Sequence, residues 1–141
     1  MTFWDRLETP LIERPLFPVD AKDHDPASEH KRQSELVGKL RARGLRVTAI
    51  PNARCWGMKA WNRAKAEGAE WGAADLIVNA PGGLTAYIEM KNGRADPEQH
   101  QIDWLNSRHK MGFAVGVFRR ADSAIAFLAE RGFPVGVRDA A

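Results

Sequence analysis

Asp75 opens a short apolar run, and after a Gly-containing turn a second apolar run ends in Ile88, Glu89, Met90 and Lys91. Carboxylates are hard oxygen donors of the kind Mg²⁺ prefers. Lys91 lies two residues beyond Glu89, so in an extended strand both side chains point to one face. Two carboxylates and an ammonium at the ends of neighbouring strands can hold a divalent cation and a phosphate together. Hydrolysing a phosphodiester requires neutralising phosphate charge, activating a water and stabilising the leaving oxygen, and a divalent ion serves all three needs. Asp75 and Glu89 are the candidate metal ligands, with the Met90 carbonyl as a candidate backbone ligand. Lys91 is the group that would orient the attacking water or stabilise the pentavalent phosphate. The spacing alone is a weak signal, because acids and lysines are common. It is strengthened because Glu89 interrupts an apolar strand, where a lone carboxylate is costly, and because a helix start bearing Gln99 follows at once.

The elements that must position these groups follow from pattern. Ser28 is a good N-cap, and the helix it opens should end at Gly44. Gln33, Leu36, Val37 and Leu40 form its inner face, and Glu29 lies four residues before Gln33 on the same stripe. An acid there either favours the positive end of the helix dipole or reaches a metal, and spacing alone favours the dipole. Leu45 to Ile50 alternates and reads as a strand, stopped by Pro51 and Asn52. Residues 53–72 form a basic connection with a short helix around Ala60 to Glu67. Ala74 to Val78 and Leu84 to Met90 are two strands joined by a turn at residues 80–83. Asp96 is read as the cap of a helix with Pro97 at its first position, running to Met111. Phe113 to Phe118 is a fourth strand, and Asp122 or Ser123 opens a last helix ending at Gly132. The expected fold is α/β: a small mixed sheet of about four strands flanked by helices.

With 141 residues the chain is expected to form one domain with a real core. Its 28% charged residues are those of an ordinary globular protein. No apolar run approaches the roughly 20 residues of a membrane helix, and the N-terminus lacks the pattern of a signal peptide. Cys55 is the only cysteine, which leaves no intrachain disulfide and no cysteine-based zinc cage. A cytoplasmic location with no membrane partner is the expectation. Residues 1–27 contain four prolines and read as an extended or partly disordered arm, residues 28–133 as the domain, and residues 134–141 as a peripheral tail. Phe3, Trp4, Leu7, Leu11, Ile12 and Phe17 could tack the arm onto the body or onto a second subunit.

Charge is unevenly placed. Three cations against six acids leave residues 1–27 at −3, so with +3 for the whole chain the remainder carries +6. Eight cations, Arg54, Lys59, Arg63 and Lys65 among them, occur between Glu35 and Glu67 with no acid, and Trp56 and Trp61 lie inside that stretch. Uninterrupted positive charge with aromatics is what a polyanion-binding surface needs, although a charge run alone fits a solvated helix face as well. Trp56 and Trp61 could stack on unpaired bases. Trp71 and Trp104 fit core packing better. His30, His100 and His109 lack zinc spacing and read as surface or structural groups, and Cys55 as an inert small residue.

Taken together these residues resemble the PD-(D/E)XK nucleases, specifically the VRR-NUC type found as stand-alone proteins in phages and bacteria. Ser28-Glu29 with Gln33 resembles the family's opening helix, and Ile50-Pro51-Asn52 its strand end before a basic loop. The segments 65–68 and 72–75 resemble the approach to the first active-site acid. Ile88-Glu89-Met90-Lys91 looks like the E-x-K element, and residues 96–99 look like its S-P-E-Q helix start. The match covers about 100 of 141 residues and leaves the arm outside. It implies a restriction-endonuclease-like core, and an active site of Glu29, Asp75, Glu89 and Lys91 supported by Gln99. It also implies dependence on Mg²⁺, with Mn²⁺ as a substitute, and DNA as the partner. The family usually has Pro before the first acid, where this chain has Ala74. A junction substrate would suit a homodimer, since two symmetric nicks need two active sites. The competing readings are a non-catalytic nucleic-acid-binding module on the same fold, and a phosphodiesterase acting on RNA or small molecules.

Overall fold

A computed structural model of the chain describes residues 12–51 and 57–136. Eight elements follow in order: α1 (Glu29–Ala42), β1 (Arg46–Ala49), α2 (Gly57–Ala66), β2 (Leu76–Ala80), β3 (Leu84–Met90), α3 (Gln99–Lys110), β4 (Ala114–Phe118) and α4 (Ala121–Glu130). Ser28 caps α1, its hydroxyl accepting the Lys31 N–H at 3.1 Å. The four strands form one mixed sheet in the order β1-β2-β3-β4, antiparallel except for the parallel β3–β4 pair. The α/β expectation is met.

The β2–β3 hairpin sets the register of the centre. Ala80 pairs with Leu84 and Leu76 with Ile88. The turn between them needs Gly82 at φ 86° and Gly83 at φ 75°, where a side chain would be strained. Period-2 alternation then divides the strands between two faces. Leu76, Val78, Ala86, Ile88 and Met90 join Leu36 and Leu40 of α1 and Phe127 and Leu128 of α4 in the larger core. The other face carries Val115 and Val117 against Ile102, Trp104 and Leu105 of α3, with Phe17 from the N-terminal segment. Tyr87 packs there edge-on to Trp104 at 5.2 Å and to Phe113 at 5.3 Å, interactions worth about 1 kcal/mol each beyond burial.

Described residues of the N-terminal segment run along the outer edge of β4. Val19 bridges Val117 in parallel, the Asp20 N–H donates to the Val117 carbonyl at 2.9 Å, and the Val117 N–H donates to Pro18 at 3.0 Å. This covers an edge that would otherwise expose unpaired backbone. Two buried arginines lock the segment in place. Arg32 donates to both Asp23 oxygens at 2.8 Å and to the Arg119 carbonyl at 2.7 Å, and its guanidinium holds the Asp23 carboxyl down at about 2. Arg119 donates to the Asp20, Asn92 and Ala95 carbonyls. The residues before Ile12 lie outside the described part of the chain, as does the tail from 137 onward.

Several boundaries differ from the sequence-based expectation. The helix read as capped by Asp96 begins instead at Gln99, with Glu98 at the cap. The Gln101 side chain accepts the Glu98 N–H at 2.9 Å, half of a capping box, while Asp96 turns to Lys22 at 3.0 Å. The last helix starts at Ala121, before Asp122 and Ser123. The Ser123 hydroxyl donates to Asp20, a tertiary partner that only the N-terminal segment supplies. The second strand begins at Leu76 rather than Ala74. Among the described residues no helix is long and apolar enough to cross a membrane.

Candidate active site

Asp75 lies one residue before β2, and continuing the hairpin register by one step sets it opposite Glu89. The Ile50 N–H donates to the Asp75 carbonyl at 2.8 Å, so Asp75 sits between the end of β1 and β3. The two acids are tied through backbone. The Asp75 N–H donates to Glu89 Oε2 at 3.1 Å, and the Met90 N–H donates to Asp75 Oδ2 at 2.9 Å. Each bond fixes a rotamer, which is how a loop acid comes to be held as firmly as a strand acid. Glu89 is 1% exposed and Lys91 7% exposed. A glutamate that deep in a sheet requires partners, and it has a second one in Gln101 of α3, whose Nε2 donates to Glu89 Oε1 at 2.6 Å.

Glu29, at the first turn of α1, completes the cluster. One carboxylate oxygen from each of Glu29, Asp75 and Glu89 lies within 4.8 Å of the others. Oxygens bound to one Mg²⁺ stand about 3 Å apart when adjacent and about 4 Å apart when opposite, so a small contraction closes the set around an ion. The dipole explanation of Glu29 is thus incomplete, because the start of α1 also delivers its carboxylate to the two strand acids. Burial is the main cause that pushes the Asp75 carboxyl up to about 6; the nearby Glu29 charge adds to it, while the Met90 N–H and Lys91 oppose it. Burial, followed by the Asp75 charge, raises Glu89 well above the ordinary carboxylate range, with Lys91 opposing. Such a cluster is a site whose own charges repel and which a cation relieves.

The cluster lines a cleft of about 410 Å³ that also contains Lys91, Gln101, His100, Trp61 and Trp71. Gln99, expected to support the site, is elsewhere: its side chain donates to the Glu13 carbonyl at 3.0 Å and to Asp103 at 2.8 Å. The cause is helical phase. Gln101 lies three and four residues before the buried Trp104 and Leu105 and so shares their face, whereas Gln99 lies four before Asp103, its partner. The spacing of Glu98 and Gln101, a capping-box pair, was the signal available for this. Lys59, Arg63 and Lys65 lie on α2, a helix with no buried residue, and Arg63 pairs with Glu67 at 3.2 Å. Arg54, Cys55 and Trp56 fall outside the described residues. Trp104 is core, as expected, at 9% exposed. Trp71 is not: it is 49% exposed on the cleft wall. His100 also lines the cleft, whereas His30 is exposed on α1.

No protein-family model and no curated protein matches the sequence. Solved structures match the architecture. One, described as "VRR_NUC domain", superposes with a TM-score of 0.55 at 23% identity, over 76% of this chain and 100% of that one. Another, described as "VRR_NUC domain protein", gives 0.58 at 18% identity, over 76% of this chain and 89% of that one. The chain has the VRR-NUC fold. At these identities the likeness speaks for the fold, and the chemistry of this VRR-NUC fold rests on its own residues: three acids and a lysine at the open end of the central hairpin.

Proposed function

We propose that this VRR-NUC fold is a metal-dependent nuclease that hydrolyses phosphodiester bonds of DNA, in the manner of the PD-(D/E)XK enzymes. The observation that carries the reading is the convergence of Glu29, Asp75 and Glu89 within 4.8 Å, in the same cleft as Lys91. Glu29, Asp75 and Glu89 would hold one or two Mg²⁺ ions, or Mn²⁺ in their place. The Met90 carbonyl is a further donor: the Met90 N–H already faces Asp75, and in an extended strand the N–H and C=O of one residue point to the same side. A bound divalent ion supplies charge neutralisation at the phosphate and activation of water. The chain's own residues do the rest. Lys91, nearly buried beside the acids, places its ammonium where negative charge builds up as water adds to phosphorus and the bond to the leaving oxygen breaks. Gln101 holds the Glu89 carboxylate in one orientation. Lys59, Arg63 and Lys65 of α2, with Arg54 before it, give the approaching phosphate backbone a positive surface.

The test is cleavage of labelled duplex, single-stranded, flap and four-way-junction DNA in Mg²⁺, Mn²⁺ or EDTA, with Asp75→Ala and Lys91→Ala alongside. Metal-dependent products absent from both variants support the nuclease. Binding without products in every metal would leave a non-catalytic module, and cleavage of RNA alone would reassign the substrate. Paired symmetric cuts in a junction would call for a homodimer, which sedimentation velocity would detect.

A further inference from the structure

Part of the wall of the cleft that holds the acids is aromatic. Trp71 stands 5.4 Å from Trp61, edge to face, and 4.9 Å from the His100 ring. The turn that carries it is pinned: Gly72 has a φ of 84°, and a Cβ there would run into the His100 carbonyl oxygen. Trp61 belongs to α2, which contributes nothing to either core. Nearly half of the Trp71 surface nevertheless faces solvent, on the same cleft as Asp75, Glu89 and Lys91. Holding a large apolar ring exposed forfeits the stabilisation that burying it would bring. The packing of the two cores does not explain why these rings stand there.

The charges around the wall suit a nucleotide. The Lys65 ammonium lies 5.7 Å from the centre of the Trp61 ring, and Lys59 and Arg63 are on the same helix. The acids of this wall are engaged: Glu67 pairs with Arg63 at 3.2 Å, and Glu70 pairs with Arg108 at 3.3 Å and accepts the Trp104 indole N–H at 2.9 Å. An aromatic face beside cations is the platform on which single-stranded nucleic acid binds, one base stacking on the ring while phosphates follow the positive charge. A continuous duplex keeps its bases stacked on one another and offers the ring no free face.

We propose that the Trp61–Trp71 wall stacks an unpaired base adjoining the phosphate held at the acidic cluster, so that the substrate is DNA with a single-stranded or splayed nucleotide at the cleavage point. This rests on the nuclease reading for its meaning but not for its test, because stacking is measurable without catalysis. Fluorescence anisotropy in EDTA with a labelled single-stranded 15-mer and a duplex of the same sequence compares the wild type with Trp71→Ala and Trp71→Phe. Single-strand affinity is expected to fall roughly tenfold in Trp71→Ala and to recover largely in Trp71→Phe, with duplex affinity unchanged. Replacing nucleotides one at a time by abasic residues should reveal one position that costs the wild type a similar factor. That arm needs no variant and holds even if Trp71→Ala folds poorly. Equal losses on duplex and single strand, or no position sensitive to base removal, would overturn the proposal. A protein that stacks single strands but cuts nothing in Mg²⁺ would overturn the nuclease reading and support this one.

Discussion

On the face of the sheet covered by α1 and α4, Leu76, Val78, Ile88 and Met90 meet Leu36, Leu40 and Phe127 in an apolar core. On the face covered by α3, the alternate positions along β3 and just past its end run from Tyr87 in aromatic packing to Glu89 and Lys91, ionisable and almost fully buried. Ile88 and Glu89 are neighbours in sequence, equally inaccessible, and opposite in kind. The first gains free energy by leaving water. The second loses it, and is held by the Asp75 N–H, the Gln101 amide and the Lys91 charge. One face stores stability, while the other spends some of it on carboxylates that repel each other.

That contrast can be broken most severely at the acids and Lys91. Asp75→Ala or Lys91→Ala should lower metal-dependent cleavage roughly a thousandfold or more, while the circular dichroism spectrum and melting cooperativity stay as in the wild type. Cleavage that survives in both variants would remove the nuclease reading. The opposite face should respond in the opposite way. Leu128→Ala, at a fully buried position of α4, should cost about 3 kcal/mol in urea unfolding and leave cleavage per folded molecule unchanged. A loss of specific activity there would mean that the two faces are coupled.

A finer division concerns the two glutamines. Gln101→Ala should weaken metal affinity or activity roughly 10- to 100-fold by freeing Glu89 to rotate, and titration calorimetry with Mn²⁺ reads this directly. Gln99→Ala should do little, since that side chain only ties Glu13 and Asp103. Equal effects would show that α3 frays at its start.

The smallest effect is on stability against pH. Asp75 titrates near 6 in the folded chain against about 3.8 unfolded, so the native state holds the proton to higher pH. Its contribution to stability is therefore complete below about 3.8 and is lost as pH rises through about 6. In EDTA the melting temperature should drop by a few degrees between pH 5 and pH 7.5. The slope should flatten in Glu89→Gln and be offset by Mg²⁺ in the wild type. Asp23 has the reverse sign. Arg32 holds it at about 2, so its contribution is present above about 3.8 and goes as pH falls toward 2. A rise in stability across the neutral range in EDTA would contradict the burial and mutual repulsion assigned to the cluster.

Sequence by itself determined the central hairpin, two short apolar runs around adjacent glycines, and period-2 alternation put Glu89 and Lys91 on one face. The register that sets Asp75 opposite Glu89 came from the fold. Sequence also determined Ser28 as a cap for the same local reason: the bond it makes is three residues long. Tertiary structure decided the rest. Glu29 sits at a helix start and in the acidic cluster with the same side chain, and only the placement of α1 against the end of the sheet distinguishes the two. Gln99 and Gln101 differ by two residues on a helix, which turns one away from the site and the other into it. The phase follows from the packing of Trp104 and Leu105, three and four residues after Gln101, against the sheet. Trp71 looked like core because indole is mostly apolar; its exposure depends on Gly72 pressing against the backbone of α3, a contact between segments about thirty residues apart that no local pattern encodes.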